Sequence, residues 1–262
     1  MELSIIITTF QRPHLLKWGL LSLSKQTITC PYEILVINDG IDDDATKSVC
    51  DSFQGKLPIR YIFTGQRNKD GLKWRVAGAA INIGIRQALG KNIILSCAEM
   101  FVLDDCVQKM VDVLNAKPKS IVITNGKDDT SGMYLRDVEK TNGYPTLTYE
   151  FGGLVPLCTY YAFFMGISRQ WVIDIGGYCD NAYLNGYAYE DTSFARRIKN
   201  DGGVYEFIPG RVVHLYHPRN DARPGISLDE LQVLLKKNKQ LYDEENGKII
   251  ANEGQEWGIL EQ

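Results

Sequence analysis

Residues 3–9 read LSIIITT, and residues 33–39 read EILVIND. Both contain an apolar run rich in β-branched residues, which is typical of strands covered on both faces, as in a parallel sheet. Between them, residues 14–26 carry leucines at helical spacing and predict a helix. A strand, a helix and a second strand in this order predict a right-handed crossover and the start of a parallel sheet.

The same alternation continues to residue 123. It predicts a helix over 43–54, a strand over 59–63, a small-residue helix over about 74–89 and a strand over 92–96. We therefore expect an α/β fold with a mainly parallel central sheet flanked by helices. Ligands of such sheets bind beyond the carboxyl ends of the strands, so functional residues are expected there.

The pattern loosens after residue 123. Residues 124–160 are rich in Gly, Asp and Thr and predict an excursion from the sheet, such as a hairpin or a lid. Regular structure is expected to resume with helices over 168–175 and 191–200, a strand over 204–208 and an amphipathic helix over 227–243. The polar residues beyond the last helix are expected to fray.

The composition is that of an ordinary globular domain, with 44% hydrophobic and 23% charged residues. The net charge of −3 and the absence of a basic block argue against a nucleic-acid binder. The sequence has neither an apolar run of the ~20 residues that a membrane helix needs nor the features of a signal peptide. The six cysteines are scattered without a C-x-x-C pair, so we expect reduced thiols and a cytoplasmic protein, free or peripheral to the membrane.

Two common phosphate-binding motifs are absent. The first strand is not followed by G-x-G-x-x-G, which argues against a dinucleotide-binding turn. Gly84, Gly90 and Lys91 resemble a phosphate loop, but five residues separate the glycines where that motif needs four. Neither nucleotide motif is therefore predicted.

Acidic residues occur at two expected functional positions. Asp39 follows the second strand within Asn-Asp-Gly, where it either forms a turn or carries function. Glu190 and Asp191 begin a predicted helix, where the helix dipole favours acids. They also follow a glycine-punctuated aromatic loop that includes Tyr187 and Tyr189. Aromatic rings beside paired carboxylates suit a sugar acceptor, because one carboxylate can take a proton from a hydroxyl.

Two of the three histidines lie within residues 212–217, which read VVHLYH. His214 and His217 are an odd number of residues apart, so a continuous strand would point them to opposite faces. One metal ligand and one supporting or substrate contact are therefore expected, rather than two ligands of one ion.

Together these stretches resemble the family 2 glycosyltransferases of the GT-A fold. SIIITTFQRP and YEILVINDG resemble their nucleotide-binding half, followed by WRVAGAAINIGIRQALGKNIIL. FFMGISRQWVIDIGGYCDNAYLNGYAYED and the later HLYH resemble the acceptor half of chondroitin-polymerase-like and galactosyltransferase-like members. The resemblance implies one GT-A domain over 1–220, with a nucleotide-binding half at about 1–123 and an acceptor half at about 160–220. Residues 221–262 would be a C-terminal helical extension.

The resemblance also implies roles for individual residues. The loop that receives the nucleotide would contain Thr8, Thr9, Phe10 and Arg12. Asp39 matches the acid that bonds the base or ribose, and Asn82 matches a position facing the nucleotide. Asp191 matches the catalytic base, and Glu190 the acid that orients the acceptor.

One departure from the family concerns the metal. The family has Asp-x-Asp after the fourth predicted strand, where this chain reads Ser96-Cys97-Ala98-Glu99-Met100. Glu99 can still bind a hard divalent ion through oxygen. We therefore expect Glu99 and His214 to hold Mn²⁺ or Mg²⁺, with His217 in support.

The expected activity is transfer of a sugar from a nucleotide-diphosphate donor, expected to be a UDP-sugar, to a hydroxyl of a glycan or glycoconjugate. Asp191 would act as base with inversion, and Arg12, Arg67 and Lys73 would stabilise the leaving diphosphate. A non-catalytic sugar-nucleotide or glycan binder is the alternative. A nucleotidyltransferase would need a glycine-rich loop after the first strand, and TTFQRPH has no glycine.

Overall fold

The computed structural model describes residues 1–42, 45–72, 74–147, 164–183, 186–218 and 225–261. In chain order its strands are β1 (Leu3–Thr9), β2 (Tyr32–Asn38), β3 (Ile59–Phe63), β4 (Asn92–Cys97), β5 (Met100–Val102), β6 (Ser120–Asp128), β7 (Phe164–Ser168) and β8 (Val204–His214). Its helices are α1 (Pro13–Leu23), α2 (Thr46–Ser52), α3 (Gln66–Asp70), α4 (Ala77–Gln87), α5 (Val107–Ala116), α6 (Met133–Lys140), α7 (Arg169–Asp174), α8 (Asp180–Tyr183), α9 (Glu190–Asn200) and α10 (Leu228–Glu244).

All the described strands belong to one sheet with the order β3-β2-β1-β4-β7-β6-β8-β5. The first four pair in parallel, β7 is antiparallel to both β4 and β6, and β6 and β8 are parallel. Only β5 and β7 therefore run against the other described strands. This confirms the predicted α/β class with a mainly parallel sheet, and it brings the carboxyl ends of β1, β2, β4, β6 and β8 to one edge.

The sheet is covered on both faces, as the apolar runs predict. Leu3, Ile5 and Ile7 of β1 lie in one core cluster with residues of α1 and α5, whereas Ile6 lies in the opposite cluster with residues of α4, α7 and α9. Gly84 lets α4 approach the sheet, because a Cβ at this position would collide with the side chain of Ile6. The run of small residues in α4 is thus explained by close helix–sheet packing.

Several elements differ from the sequence predictions. The stretch over 124–160, which is predicted to leave the sheet, contains the end of β6 and helix α6. Residues 148–163 lie outside the described part of the chain. Strand β7 precedes the predicted helix over 168–175, and β8 continues to His214 instead of ending at residue 208. Both differences come from tertiary pairing, because β7 joins β4 to β6 and β8 pairs with both β6 and β5.

The C-terminal tail packs on the protein, so the prediction that it frays is wrong. The backbone N–H of Ala251 donates to Ile175 at 2.9 Å, and the side chain of Trp257 is buried beneath the guanidinium of Arg86. The tail then reaches α3, where Gln66 donates to the carbonyl oxygen of Ile259. Of the helices described, none is both long enough and apolar enough to cross a bilayer.

Candidate active site

A buried cluster of charges lies beyond the carboxyl end of β2. Asp39 is only 3% exposed and accepts hydrogen bonds from Thr64 at 2.7 Å, from Arg67 at 3.1 Å and from two nitrogens of Arg75. Four donors therefore occupy the two carboxylate oxygens, which is about the number that a carboxylate can accept. Asp39 thus holds both guanidinium groups in fixed positions.

Arg67 retains donors that the described residues leave unused. Its Nε and Nη1 atoms are buried and have no hydrogen-bond partner in the described part of the chain. Its guanidinium also lies 4.1 Å from the centre of the Phe10 ring, in the loop after β1. Burial lowers the pKa of Arg67 to about 10, so the group still carries a positive charge at neutral pH. Such donors suit an anionic ligand beside the β1 loop.

The last residue of β1 also contributes a hydroxyl to this region. Thr9 is 4% exposed, and its Oγ1 atom lacks a hydrogen-bond partner among the residues that are described. Arg12, in the loop after β1, forms an ion pair with the buried carboxylate of Glu99. The structure therefore joins a predicted nucleotide-binding residue to a predicted metal ligand.

Strand pairing brings Glu99 beside His214. The chain leaves β4 at Cys97 and enters β5 at Met100, which pairs with His214 of β8. The N–H of Leu215 donates to the carbonyl of Glu99 at 2.8 Å. As a result, the potential ligand atoms of Cys97, Glu99 and His214 all lie within 4.8 Å of one another.

Asp128 fixes the imidazole of His214. The Nδ1 atom of His214 lies 2.9 Å from a carboxylate oxygen of Asp128, at the end of the neighbouring strand β6. Burial lowers the pKa of His214, but hydrogen bonds with Asp128 and Cys97 outweigh it and raise the pKa to about 9. With Nδ1 bonded to Asp128, Nε2 is the atom that would bind a metal ion, which would take the place of the proton on that nitrogen.

The expectation that the two histidines point to opposite faces is wrong. Their rings meet edge to face with centroids 5.3 Å apart. The alternation rule does not apply to this pair, because β8 ends at His214 and the chain beyond it is no longer extended strand. His217 therefore lies beside His214, the metal-ligand candidate.

Glu190 and Asp191 form the first turn of α9, after a strained turn. Ala188 and Tyr189 both have positive φ, at 58° and 69°, although neither is glycine. A non-glycine residue in this region costs on the order of 1–3 kcal/mol, and such strain often accompanies functional sites.

The two carboxylates are buried and differ in their partners. Burial and the nearby charge of Asp191 raise the pKa of Glu190, whose carboxylate also accepts from the backbone of Ala77 at the start of α4. Burial raises the pKa of Asp191 as well, although hydrogen bonds from the N–H and hydroxyl of Thr192 oppose the rise. The shared proton is therefore held on Glu190, which leaves Asp191 as the ionised member of the pair and so the one able to accept a proton.

Aromatic rings in the sequence before these acids contact other aromatic residues of the fold. Trp74 and Tyr187 meet edge to face at 5.3 Å, and Tyr189 lies 5.5 Å from Tyr242 of α10. The indole N–H of Trp74 is buried without a partner in the portion of the chain that is described. Because Trp74 adjoins Arg75, these contacts link the charge cluster at Asp39 to the loop before Glu190.

Two predicted nucleotide contacts have different outcomes. Asn82 is fully buried, and its amide both donates to the carbonyl and accepts from the N–H of Tyr178. The structure therefore corrects its expected role, because the amide ties α4 to the loop after α7 and has no exposed atom for a nucleotide. Lys73 lies outside the described residues.

Sequence reasoning missed two members of the site. Cys97 is predicted only as one of the scattered thiols and as part of the stretch that replaces Asp-x-Asp, not as a metal-ligand candidate. Asp128 lay in a stretch expected to leave the sheet, and only the pairing of β6 with β8 places it beside His214.

Comparison with known proteins agrees with this geometry. Residues 4–176 match the family described as Glycosyl transferase family 2. The hyaluronan synthase of Pasteurella multocida is 27% identical over 254 residues, which cover 82% of this chain and 24% of that protein. The chondroitin synthase of P. multocida strain Pm70 is 24% identical in an alignment 278 positions long, which covers 92% of this chain and 28% of that protein. The chain thus spans about a quarter of the length of these relatives.

Solved structures share the fold. GalNAc-T7 with UDP, GalNAc and Mn²⁺ superposes with a TM-score of 0.61 at 16% identity, covering 92% of this chain and 50% of that one. S. aureus TarS 1–349 in complex with UDP-GlcNAc superposes with a TM-score of 0.60 at 14% identity, covering 89% of this chain and 64% of that one. At these identities the likeness establishes the fold, which is that of the GT-A glycosyltransferases.

Proposed function

This chain belongs to glycosyl transferase family 2, and from that premise we propose that it transfers a sugar from a UDP-sugar to a hydroxyl of a glycan, with inversion. Relatives named as hyaluronan and chondroitin synthases support a glycan acceptor. Structural neighbours with bound UDP or UDP-GlcNAc support the donor class. The observation that most directly supports this proposal is that buried cationic hydrogen-bond donors and a carboxylate–imidazole pair lie at the same edge of the sheet.

Arg67 and the β1 loop would bind the donor. The unused N–H groups of Arg67 and the unpaired hydroxyl of Thr9 are suited to diphosphate oxygens. The adjacent Thr8 and Phe10 would complete this loop. Asp39 would contribute by holding Arg67 and Arg75, because its carboxylate oxygens are already occupied.

Glu99 and His214 fit a divalent cation. Carboxylate oxygen and imidazole nitrogen are both ligands of Mn²⁺, and Asp128 fixes the ring so that Nε2 is available. A bound cation would neutralise charge that develops on the leaving diphosphate. Arg12 lies at the same edge and pairs with Glu99, and its guanidinium would contact the diphosphate once a cation shares that carboxylate. His217 would support the ring of His214.

Asp191 would act as the general base. It would accept the proton of the acceptor hydroxyl as that oxygen forms a bond to the anomeric carbon and the bond to the diphosphate breaks. A raised pKa makes this carboxylate a stronger base, closer to the pH at which the enzyme operates. In-line attack from the face opposite the leaving group would invert the anomeric centre. Tyr187 and Tyr189 would flank the acceptor sugar, and Glu190 would orient it.

The test is release of UDP from a panel of UDP-sugars with oligosaccharide acceptors. Asp191→Asn should lower transfer by about 10²–10⁴-fold, which is the usual contribution of a general base. Asp243→Asn is the matched control, because this acid is exposed on α10. Transfer near the wild-type rate in Asp191→Asn would show that another group is the base.

A non-catalytic sugar-nucleotide or glycan binder remains the second candidate. It is favoured by one observation, namely that Ser96-Cys97-Ala98-Glu99-Met100 stands where the family has Asp-x-Asp, so that the first aspartate is lost. Under this alternative, UDP-sugars would raise the unfolding temperature but no UDP would be released with any acceptor.

A further inference from the structure

The ligand group beside His214 contains a third donor of a different chemical kind. The Sγ atom of Cys97 lies within 4.8 Å of the ligand atoms of both Glu99 and His214. We propose that Cys97 binds the metal ion through its thiolate, so that the site selects thiophilic ions such as Zn²⁺ and Co²⁺ over Mg²⁺. The ion's role at the diphosphate rests on the proposed function, whereas the ligand set does not.

The position of the thiol is fixed by the sheet. Cys97 is the last residue of β4 and is in register with Thr8 of β1, and the next N–H, of Ala98, donates to Thr8 at 3.0 Å. His214 is held by Asp128, and Glu99 is held through the pairing of its neighbours with β8. Cys97 and His214 end their strands and Glu99 lies in the turn between β4 and β5, so the backbone positions of all three donors are fixed before an ion binds, and the ion would share the Glu99 carboxylate with Arg12.

The chemistry of the donor set determines the preferred ion. Mg²⁺ selects oxygen ligands and dehydrates reluctantly, so a thiol and an imidazole match it poorly. Thiolate and imidazole ligands suit Zn²⁺ and Co²⁺, whose affinities for mixed donor sets also exceed that of Mn²⁺. Three protein ligands leave a position for an oxygen of the substrate, as in open zinc sites. The thiol would release its proton to solvent when the ion binds.

Cys97 also differs in setting from the other described cysteines. Cys50 and Cys106 are fully buried within the apolar core, and Cys179 is buried beside Glu245 of the C-terminal region. Cys30 is half-buried, like Cys97, but lies before β2 at the opposite end of that strand from the site. Among these thiols, Cys97 is the one grouped with two further metal-ligand residues.

The test uses Co²⁺ as a spectroscopic probe on the whole chain, stripped of metal and without donor. A Cys97 thiolate bound to Co²⁺ should give a near-ultraviolet sulfur-to-cobalt charge-transfer band that saturates at one ion per chain. Cys97→Ser should abolish the band and weaken Co²⁺ binding by at least about tenfold, while Cys30→Ser should preserve both. Unfolding curves without metal would verify that each variant is folded.

A second variant tests the selectivity directly. Cys97→Asp should bind Co²⁺ without the band, and excess Mg²⁺ or Mn²⁺ should displace Co²⁺ from it more readily than from the wild type. The inference is overturned if Co²⁺ stabilises the wild type without producing the band, if Cys97→Ser keeps the band, or if Co²⁺ does not bind. Failure of sugar transfer with the band intact would instead count against the proposed function alone.

Discussion

The side-chain amide of Gln66 donates to the carbonyl oxygen of Ile259 at 2.7 Å, while its carbonyl accepts from Arg75 at 3.1 Å. Arg75 in turn holds the carboxylate of Asp39. A continuous chain of hydrogen bonds therefore joins the C-terminal tail to the charge cluster beside Phe10. Residues outside the segment that matches the family thus support the proposed donor site.

Gln66→Ala should weaken donor binding more than it slows turnover. The change removes the hydrogen bond from Arg75 and the one to Ile259 that anchors Gln66 itself, each worth roughly 0.5–1.5 kcal/mol. We expect the KM for the donor to rise by about tenfold with kcat within about threefold of wild type, measured by initial rates of UDP release. Gln240→Ala is the control, because Gln240 bonds only to Glu244 along the exposed face of α10. An unchanged KM would show that Arg75 needs no support from the tail.

Trp257→Ala should destabilise the fold strongly. Trp257 is 6% exposed, stacks under Arg86 and packs against the backbone at Gly177, so its removal would open a cavity between the tail and α4. Large-to-small changes of this kind cost about 3–5 kcal/mol. The free energy of unfolding in urea is the measurement, and Leu228→Ala, at an 80% exposed position, should stay close to wild type. A loss below about 1 kcal/mol would mean that the tail packs only loosely.

The strands that form the parallel half of the sheet could be predicted because they carry their own signal. β1 and β2 each contain a run of consecutive apolar residues without alternation, which is typical of strands buried on both faces. By contrast, β7 and the last residues of β8 become strands because they pair with residues far away in sequence. The tail is similar, since Trp257 is a single apolar residue in a polar stretch and its partner lies 171 residues earlier.

The candidate site divides in the same way. Asp39, Glu190 and Asp191 could be found because they follow recognisable elements. Asp128 could not, because its link to His214 spans 86 residues and depends on the register of β6 with β8. The position of Cys97 at the end of a strand could be predicted, but its role as a metal-ligand candidate could not. That role depends on Glu99 and His214, which only the folded structure brings beside it.

Asp128→Asn should weaken metal binding without removing a ligand. The carboxylate orients His214 and makes its ring a stronger ligand, and loss of such a partner typically costs 10–100-fold in metal affinity. Isothermal titration calorimetry, with Zn²⁺ added to the metal-stripped protein, would measure the change in affinity. Asp112→Asn should bind Zn²⁺ as the wild type does, because Asp112 is exposed on α5 and bonds to Gln108. Equal affinities in both variants would mean that Asp128 does not support the ring.

Glu190→Gln should make stability less sensitive to pH. Burial and the charge of Asp191 raise the pKa of Glu190, so the folded protein holds this proton more tightly than the unfolded chain does. Stability then falls as pH rises from the ordinary glutamate range towards the raised pKa, because the unfolded state releases the proton first. Glutamine keeps an acceptor for the backbone of Ala77 but carries no charge, so the variant should gain stability relative to wild type as pH increases from about 5 to 8.

Urea unfolding at a series of pH values would measure this difference. Glu253→Gln, at an exposed position of the tail, should follow the wild-type profile throughout. If Glu190→Gln loses stability uniformly at every pH, the carboxylate is ionised in the folded state and its hydrogen bonds stabilise the start of α4. In that case Glu190 and Asp191 would both carry charge at neutral pH, and the assignment of Asp191 as the more readily ionised member of the pair would lose its physical basis.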